Sequence, residues 1–172
     1  MYIKNVSVFF VIPYKIRVYL CFHLRERVQC PHIVLYLLDY LENLTPEGEK
    51  PVVEAWIISH AHGDHCGALN AFVEQTAHRD RIFVEGIYFS EPSQRVTDIC
   101  GGDVNIGRMK RAARVLKTAQ GKPTPIYRPQ TGQRYYFNDI IMDVVLAQEQ
   151  VPFEHYKSDL NTSSTVCMFT VE

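Results

Sequence analysis

Four side chains able to ligate a metal ion stand within one short run, His60-Ala61-His62-Gly63-Asp64-His65, set between an apolar stretch and a helix-periodic one. Val52 to Ser59 carries Val52, Val53, Trp56, Ile57 and Ile58 in a run too short for a helix, which predicts a buried strand. Ala68 to Ala77 offers Leu69, Phe72, Val73 and Thr76 at helical intervals and predicts a helix. On an extended backbone His60 and His62 point to the same side and can share one cation. Gly63 then lets the chain turn, so that Asp64 and His65 can serve a second cation close by, while Gly67 leaves room for the helix to pack. A strand end running into a helix start is where α/β proteins keep their chemistry.

The rest of the chain supports an α/β class. Asn5 to Ile12 and Lys15 to Phe22 are rich in Val, Ile, Tyr and Phe, and Pro13-Tyr14 separates them, which predicts two strands able to pair as a hairpin. Ile33 to Leu44 has Ile33, Leu37, Leu38, Leu41 and Leu44 on one helical face, with Thr45-Pro46-Glu47-Gly48 as the stop. Ile82 to Ser90 reads as another strand, ended by Glu91-Pro92-Ser93. After a Gly101-Gly102 loop, Asp103 can cap a helix from Val104 to Gln120 whose inner face holds Ile106, Met109, Ala113, Leu116 and Ala119 or Gln120. Gln133 to Phe137 and Ile140 to Ala147 flank the turn signal Asn138-Asp139, and Ser164 to Val171 adds a last strand.

Composition narrows the function classes. The chain has 172 residues, 47% hydrophobic and 22% charged, enough apolar mass for one core, and a single domain over 1–172 is expected. Eighteen basic against nineteen acidic residues give a formal charge of -1, so bulk charge argues for neither nucleic acid nor a membrane surface as partner. Cys21, Cys30, Cys66, Cys100 and Cys167 form an odd, scattered set without a CxxC pair, which points to a reducing, cytoplasmic setting. The run Val6 to Ile12 is far short of the ~20 residues that span a bilayer.

The chemistry suited to the histidine run is hydrolysis. A divalent metal lowers the pKa of bound water to about 7, and an aspartate beside it can orient or deprotonate the nucleophile, the catalytic role expected of Asp64. Mixed imidazole and carboxylate ligands favour one or two zinc ions, with manganese and iron also compatible. The expected partner is then a hydrolysable small-molecule substrate.

The stretch Trp56-Ile57-Ile58-Ser59-His60-Ala61-His62-Gly63-Asp64-His65-Cys66-Gly67-Ala68-Leu69 resembles the HxHxDH signature of the metallo-β-lactamase superfamily. The resemblance runs from about Ile33 onward and implies a four-layer αββα sandwich, here partial. It implies that His60 and His62 hold a first metal and Asp64 and His65 a second. Ser158-Asp159-Leu160-Asn161-Thr162-Ser163-Ser164-Thr165-Val166 resembles the Asn-Asp-x-Ser-Leu-Val segment of the branch containing the hydrolase domain of ComEC-like DNA-uptake proteins, and this tilts the expected substrate toward phosphodiesters. Residues 1–32 are atypical, without the Asp-Gly-Gly-like turn of the family's opening strands, and no later Gly-Asp or histidine follows Val166. The expectation is a chain lacking the C-terminal part of the fold, with a catalytically inactive, truncated protein or binding module as the alternative.

Other residues have two readings each. His155 is either a later metal ligand or part of an ordinary loop, and Asp159 and Asn161 either line the pocket or form a turn before the last strand. Cys66 can bind zinc, but a small buried cysteine at the start of a helix is the commoner outcome. His78 is expected to complement a helix C-terminus. Arg108, Lys110, Arg111, Arg114 and Lys117 could hold phosphates of a nucleic acid, although the outer face of an amphipathic helix usually meets water. Tyr135-Tyr136-Phe137 reads as core packing in a strand.

Overall fold

The computed structural model describes residues 17–20, 30–99, 104–147 and 164–171. Its order is β1 (Arg17–Leu20), α1 (Cys30–Leu44), β2 (Val52–Ile58), α2 (Gly63–Glu74), α3 (Thr76–Arg79), β3 (Phe83–Val84), β4 (Ile87–Phe89), α4 (Gln94–Ile99), α5 (Val104–Val115), β5 (Ile126–Tyr127), β6 (Arg134–Phe137), β7 (Ile140–Leu146) and β8 (Val166–Val171). A parallel sheet runs β1-β2-β4-β5, with β3 also paired to β2, and an antiparallel sheet runs β6-β7-β8.

β2 organises both layers because its side chains alternate between two apolar environments. Trp56 and Ile58 join Leu38 and Leu41 of α1, Leu69 and Phe72 of α2, and Met109 of α5 in one core. Ala55 and Ile57 face the other way, toward Phe137, Ile140 and Met142 of the antiparallel sheet. β4 repeats the pattern, with Ile87 and Phe89 on the helix side and Tyr88 between the sheets. A strand buried on both faces reads as a continuous apolar run, which is why Ala55 to Ile58, the buried half of β2, lacks polar alternation. The described residues thus form helix, parallel-sheet and antiparallel-sheet layers of a mixed α/β fold of the expected class.

Several expected boundaries move. The helix expected from Ala68 starts at Gly63, so the histidine run enters its first turn, and it ends at Glu74 before the short α3. The single strand expected over Ile82 to Ser90 is two, because Glu85 N–H donates to Val53 and Trp56 N–H donates to Gly86, a detour in the ladder. The helix expected to reach Gln120 stops at Val115. Thr118 N–H donates to Lys122 and Gly121, at φ +75°, closes a tight turn, leaving Ala119 and Gln120 exposed. β1, inside the expected strand Lys15 to Phe22, pairs in parallel with β2, while the expected strand Asn5 to Ile12 lies outside the described residues. Between β6 and β7, Asn138 takes φ +52° at the expected turn.

Among the described residues no helix is long and apolar enough to cross a membrane.

Candidate metal centre

The C-terminal end of β2 delivers Ser59 and His60 at the edge of the parallel sheet, and α2 begins three residues later. This is the edge at which open α/β sheets carry their ligands. His62 has extended backbone angles, φ -68° and ψ 148°, as the N-cap of α2, and its carbonyl accepts from the N–H groups of His65 and Cys66. Cys66 is buried, and its thiol donates to the carbonyl of His62 at 3.1 Å, with that of Ala61 also near at 3.5 Å. It acts as a small buried donor that fixes the turn. From α5, Asn105 Nδ2 donates to Ala61 O at 3.2 Å, tying the loop to a second helix.

Three imidazoles meet there. His60 and His65 are buried, and their ring centroids are 3.9 Å apart; His62 lies edge-on to His60 at 4.8 Å. His60 Nε2 and His62 Nδ1 face each other at 3.1 Å. On the opposite side of His60, Nδ1 lies 3.1 Å from both Ser59 Oγ and Ser164 Oγ, and Ser59 Oγ is also 3.0 Å from His65 Nδ1. Ser164 precedes β8, and the neighbouring Thr165 N–H donates to Ser59 O at 2.9 Å, so the antiparallel sheet is fastened to the histidine run at this point.

The sequence profile described as the metallo-beta-lactamase superfamily matches residues 47–162 of the 172. The chain belongs to the metallo-beta-lactamase superfamily. No curated protein matches it. A crystal structure of a metallo beta lactamase from Hirschia baltica is similar over 80% of this chain at 16% identity and a TM-score of 0.37. The match spans 47% of that protein, so the chain covers about half of its length.

The chemistry of the superfamily can be tested against the donors present. Two nitrogens bound tetrahedrally to one zinc ion at 2.0–2.1 Å stand about 3.4 Å apart. The 3.1 Å gap between His60 Nε2 and His62 Nδ1 needs to open only slightly for an ion to replace the proton between them. Imidazole nitrogen is also the donor type that zinc prefers. The pair therefore fits one side of a coordination sphere. Among the described residues no group of three or more His, Cys, Asp or Glu side chains is arranged to hold a metal. The side chain of Asp64 lies outside the described residues, as do His155, Asp159 and Asn161.

Two further expectations change. His78 does stand in the last turn of a helix, the short α3, as expected, but its side chain is buried rather than solvated, with its ring 6.2 Å from that of Phe72 and its Nδ1 without a hydrogen-bond partner among the described residues. On α5, Arg108 pairs with Glu74 at 3.7 Å and Lys110 with Glu91 at 2.6 Å, so part of the basic cluster is engaged by carboxylates rather than simply hydrated. Tyr135 and Phe137 do pack inward, whereas Tyr136 is 67% exposed. The sequence reading passes over Ser59, Ser164 and Asn105. Ser59 could have been suspected as a hydroxyl adjoining the first histidine; nothing in the sequence pairs Ser164 or Asn105 with the motif.

Proposed function

We propose that this chain is a metal-dependent hydrolase domain in which His60 and His62 hold a first divalent ion, zinc by donor type, and Asp64 and His65 serve a second. The observation that carries this reading is the convergence of His60 Nε2 and His62 Nδ1 to 3.1 Å at the carboxyl end of β2. One bound divalent ion lowers the pKa of the water it holds to about 7 and polarises the bond being cut. The chain's own contribution is to position and to exclude water. Burial of His60 and His65 keeps bulk water from their rings, the Cys66 thiol and Asn105 amide fix the carbonyls of the loop, and Asp64 orients or deprotonates the attacking water.

The substrate class we favour is a phosphodiester, on the resemblance of Ser158 to Val166 to the ComEC-like segment; the fold does not choose among phosphodiesters, thioesters and lactams. The test compares hydrolysis of bis(p-nitrophenyl) phosphate, a thioester and a cephalosporin by zinc-loaded protein, before and after chelation. The expected result is chelator-sensitive turnover of the phosphodiester, lowered about 100-fold or more in Asp64→Asn at saturating zinc. Folded, zinc-loaded protein that cleaves none of the three contradicts the enzyme reading. A second reading, a catalytically inactive member acting as a binding module, draws on the finding that the described residues supply a two-nitrogen pair and no larger donor group.

A further inference from the structure

The geometry points to Ser59 and Ser164 as positioning residues that hold His60 and His65 in the tautomer able to donate Nε2 to a metal ion, an inference that rests on the metal-centre reading. A neutral imidazole carries its proton on one nitrogen and offers a lone pair on the other, and the hydrogen bond made by the first decides which. Ser59 Oγ lies within 3.1 Å of Nδ1 on both His60 and His65. A hydroxyl has one proton to give and two lone pairs to offer, so it cannot donate to both rings, whereas it can accept from both. Ser164 Oγ adds a second acceptor at 3.1 Å on the same face of His60. With both Nδ1 atoms protonated, Ser59 Oγ accepts from both rings and each Nε2 keeps its lone pair. For His60 that lone pair is the one facing His62 Nδ1.

The two serines reach the site by different routes. Ser59 is the residue before the motif, whereas Ser164 comes from the start of β8 and is held there by the Thr165 N–H bond to Ser59 O. The last strand of the antiparallel sheet therefore sets the orientation of a histidine more than a hundred positions earlier. Groups that orient metal-binding imidazoles in this way typically change metal affinity by 10–100-fold when removed.

The test uses the full chain with selectively 15N-labelled histidine. Ring nitrogen shifts are recorded without metal, and zinc affinity is measured separately by competition with a chromophoric chelator, for wild type, Ser59→Ala, Ser59→Thr and Ser164→Ala. Wild type is expected to show His60 and His65 protonated on Nδ1. Ser59→Ala is expected to disturb both rings and weaken zinc binding about 10-fold or more, Ser164→Ala to disturb His60 alone, and Ser59→Thr to restore the wild-type pattern. Wild-type ring signals and zinc affinity in both alanine variants overturn the proposal. Should Ser59→Ala fail to fold, Ser164→Ala and the rescue by Ser59→Thr decide it. Because the tautomers are read without metal, wild type with the expected tautomers but no zinc affinity defeats the metal-centre reading and leaves the hydrogen-bond assignment standing.

Discussion

Several interactions converge on His60: its Nε2 faces His62, its Nδ1 faces two serines, and its ring lies against His65. A buried polar side chain of this kind is tolerable only if its hydrogen bonds are made, so the loop around it must be held in place. Asn105 does part of this from α5. Removing its amide in Asn105→Ala leaves the buried Ala61 carbonyl without that donor, and a loss of about 1 kcal/mol in urea unfolding is expected, with a weaker zinc affinity. A stability and an affinity equal to wild type would show that the bond contributes nothing to the loop.

Among the elements, α2 links the fold to the site, since its first turn carries Asp64 and His65 and its inner face carries Leu69 and Phe72 into the core. Phe72 is fully buried and meets Trp56 edge-on at 5.8 Å. Phe72→Ala is expected to cost about 3–5 kcal/mol in denaturant unfolding, a cavity too large for neighbouring side chains to fill. A cost below about 1 kcal/mol would mean that α2 does not depend on this contact. The elements were legible where one periodicity dominates, as in α1, β2 and the hairpin of β6 and β7. They were misjudged where hydrogen bonds override the pattern. Apolar spacing carries a helix through Leu116 toward Ala119, but the Thr118 to Lys122 turn ends it at Val115. Likewise Ile82 to Ser90 is apolar on both sides of Glu85-Gly86, and the bonds of those two residues to β2 mark the break between two strands. The histidine run was legible because ligand spacing is local. Its serine and asparagine supports were not, because they depend on which loops meet.

On the scale of the whole molecule, the carboxyl edge of the parallel sheet is closed on another side by an ion cluster in which Glu91, after β4, accepts from Lys110 of α5 at 2.6 Å and from Arg128, after β5, at 2.6 Å. Burial alone would raise the Glu91 pKa, but the hydrogen bonds from Lys110 and Arg128, with their charges, outweigh it and leave the carboxyl below its usual range. A lowered folded pKa contributes stability that is complete above the unfolded value of about 4.3 and is lost as pH falls through the folded one. Glu91→Gln is therefore expected to be less stable than wild type at pH 7, with the difference shrinking toward pH 3 in urea unfolding. A difference that stays constant across that range would remove Glu91 from the acid response. Glu42, hydrogen-bonded by Arg81, and Asp143, hydrogen-bonded by Arg134, are lowered in the same direction and belong to the same acid limb.

The proposed metal centre stands on His60 and His62 holding one ion together. It is tested most directly by the zinc content of purified protein after exhaustive dialysis, wild type against the double variant His60→Ala with His62→Ala, with circular dichroism confirming that both are folded. At least about one equivalent of zinc is expected in wild type, with most of it lost in the folded double variant, because two proposed nitrogen ligands are gone. Equal zinc content in the two proteins, or none in a folded wild type supplied with zinc, would contradict it.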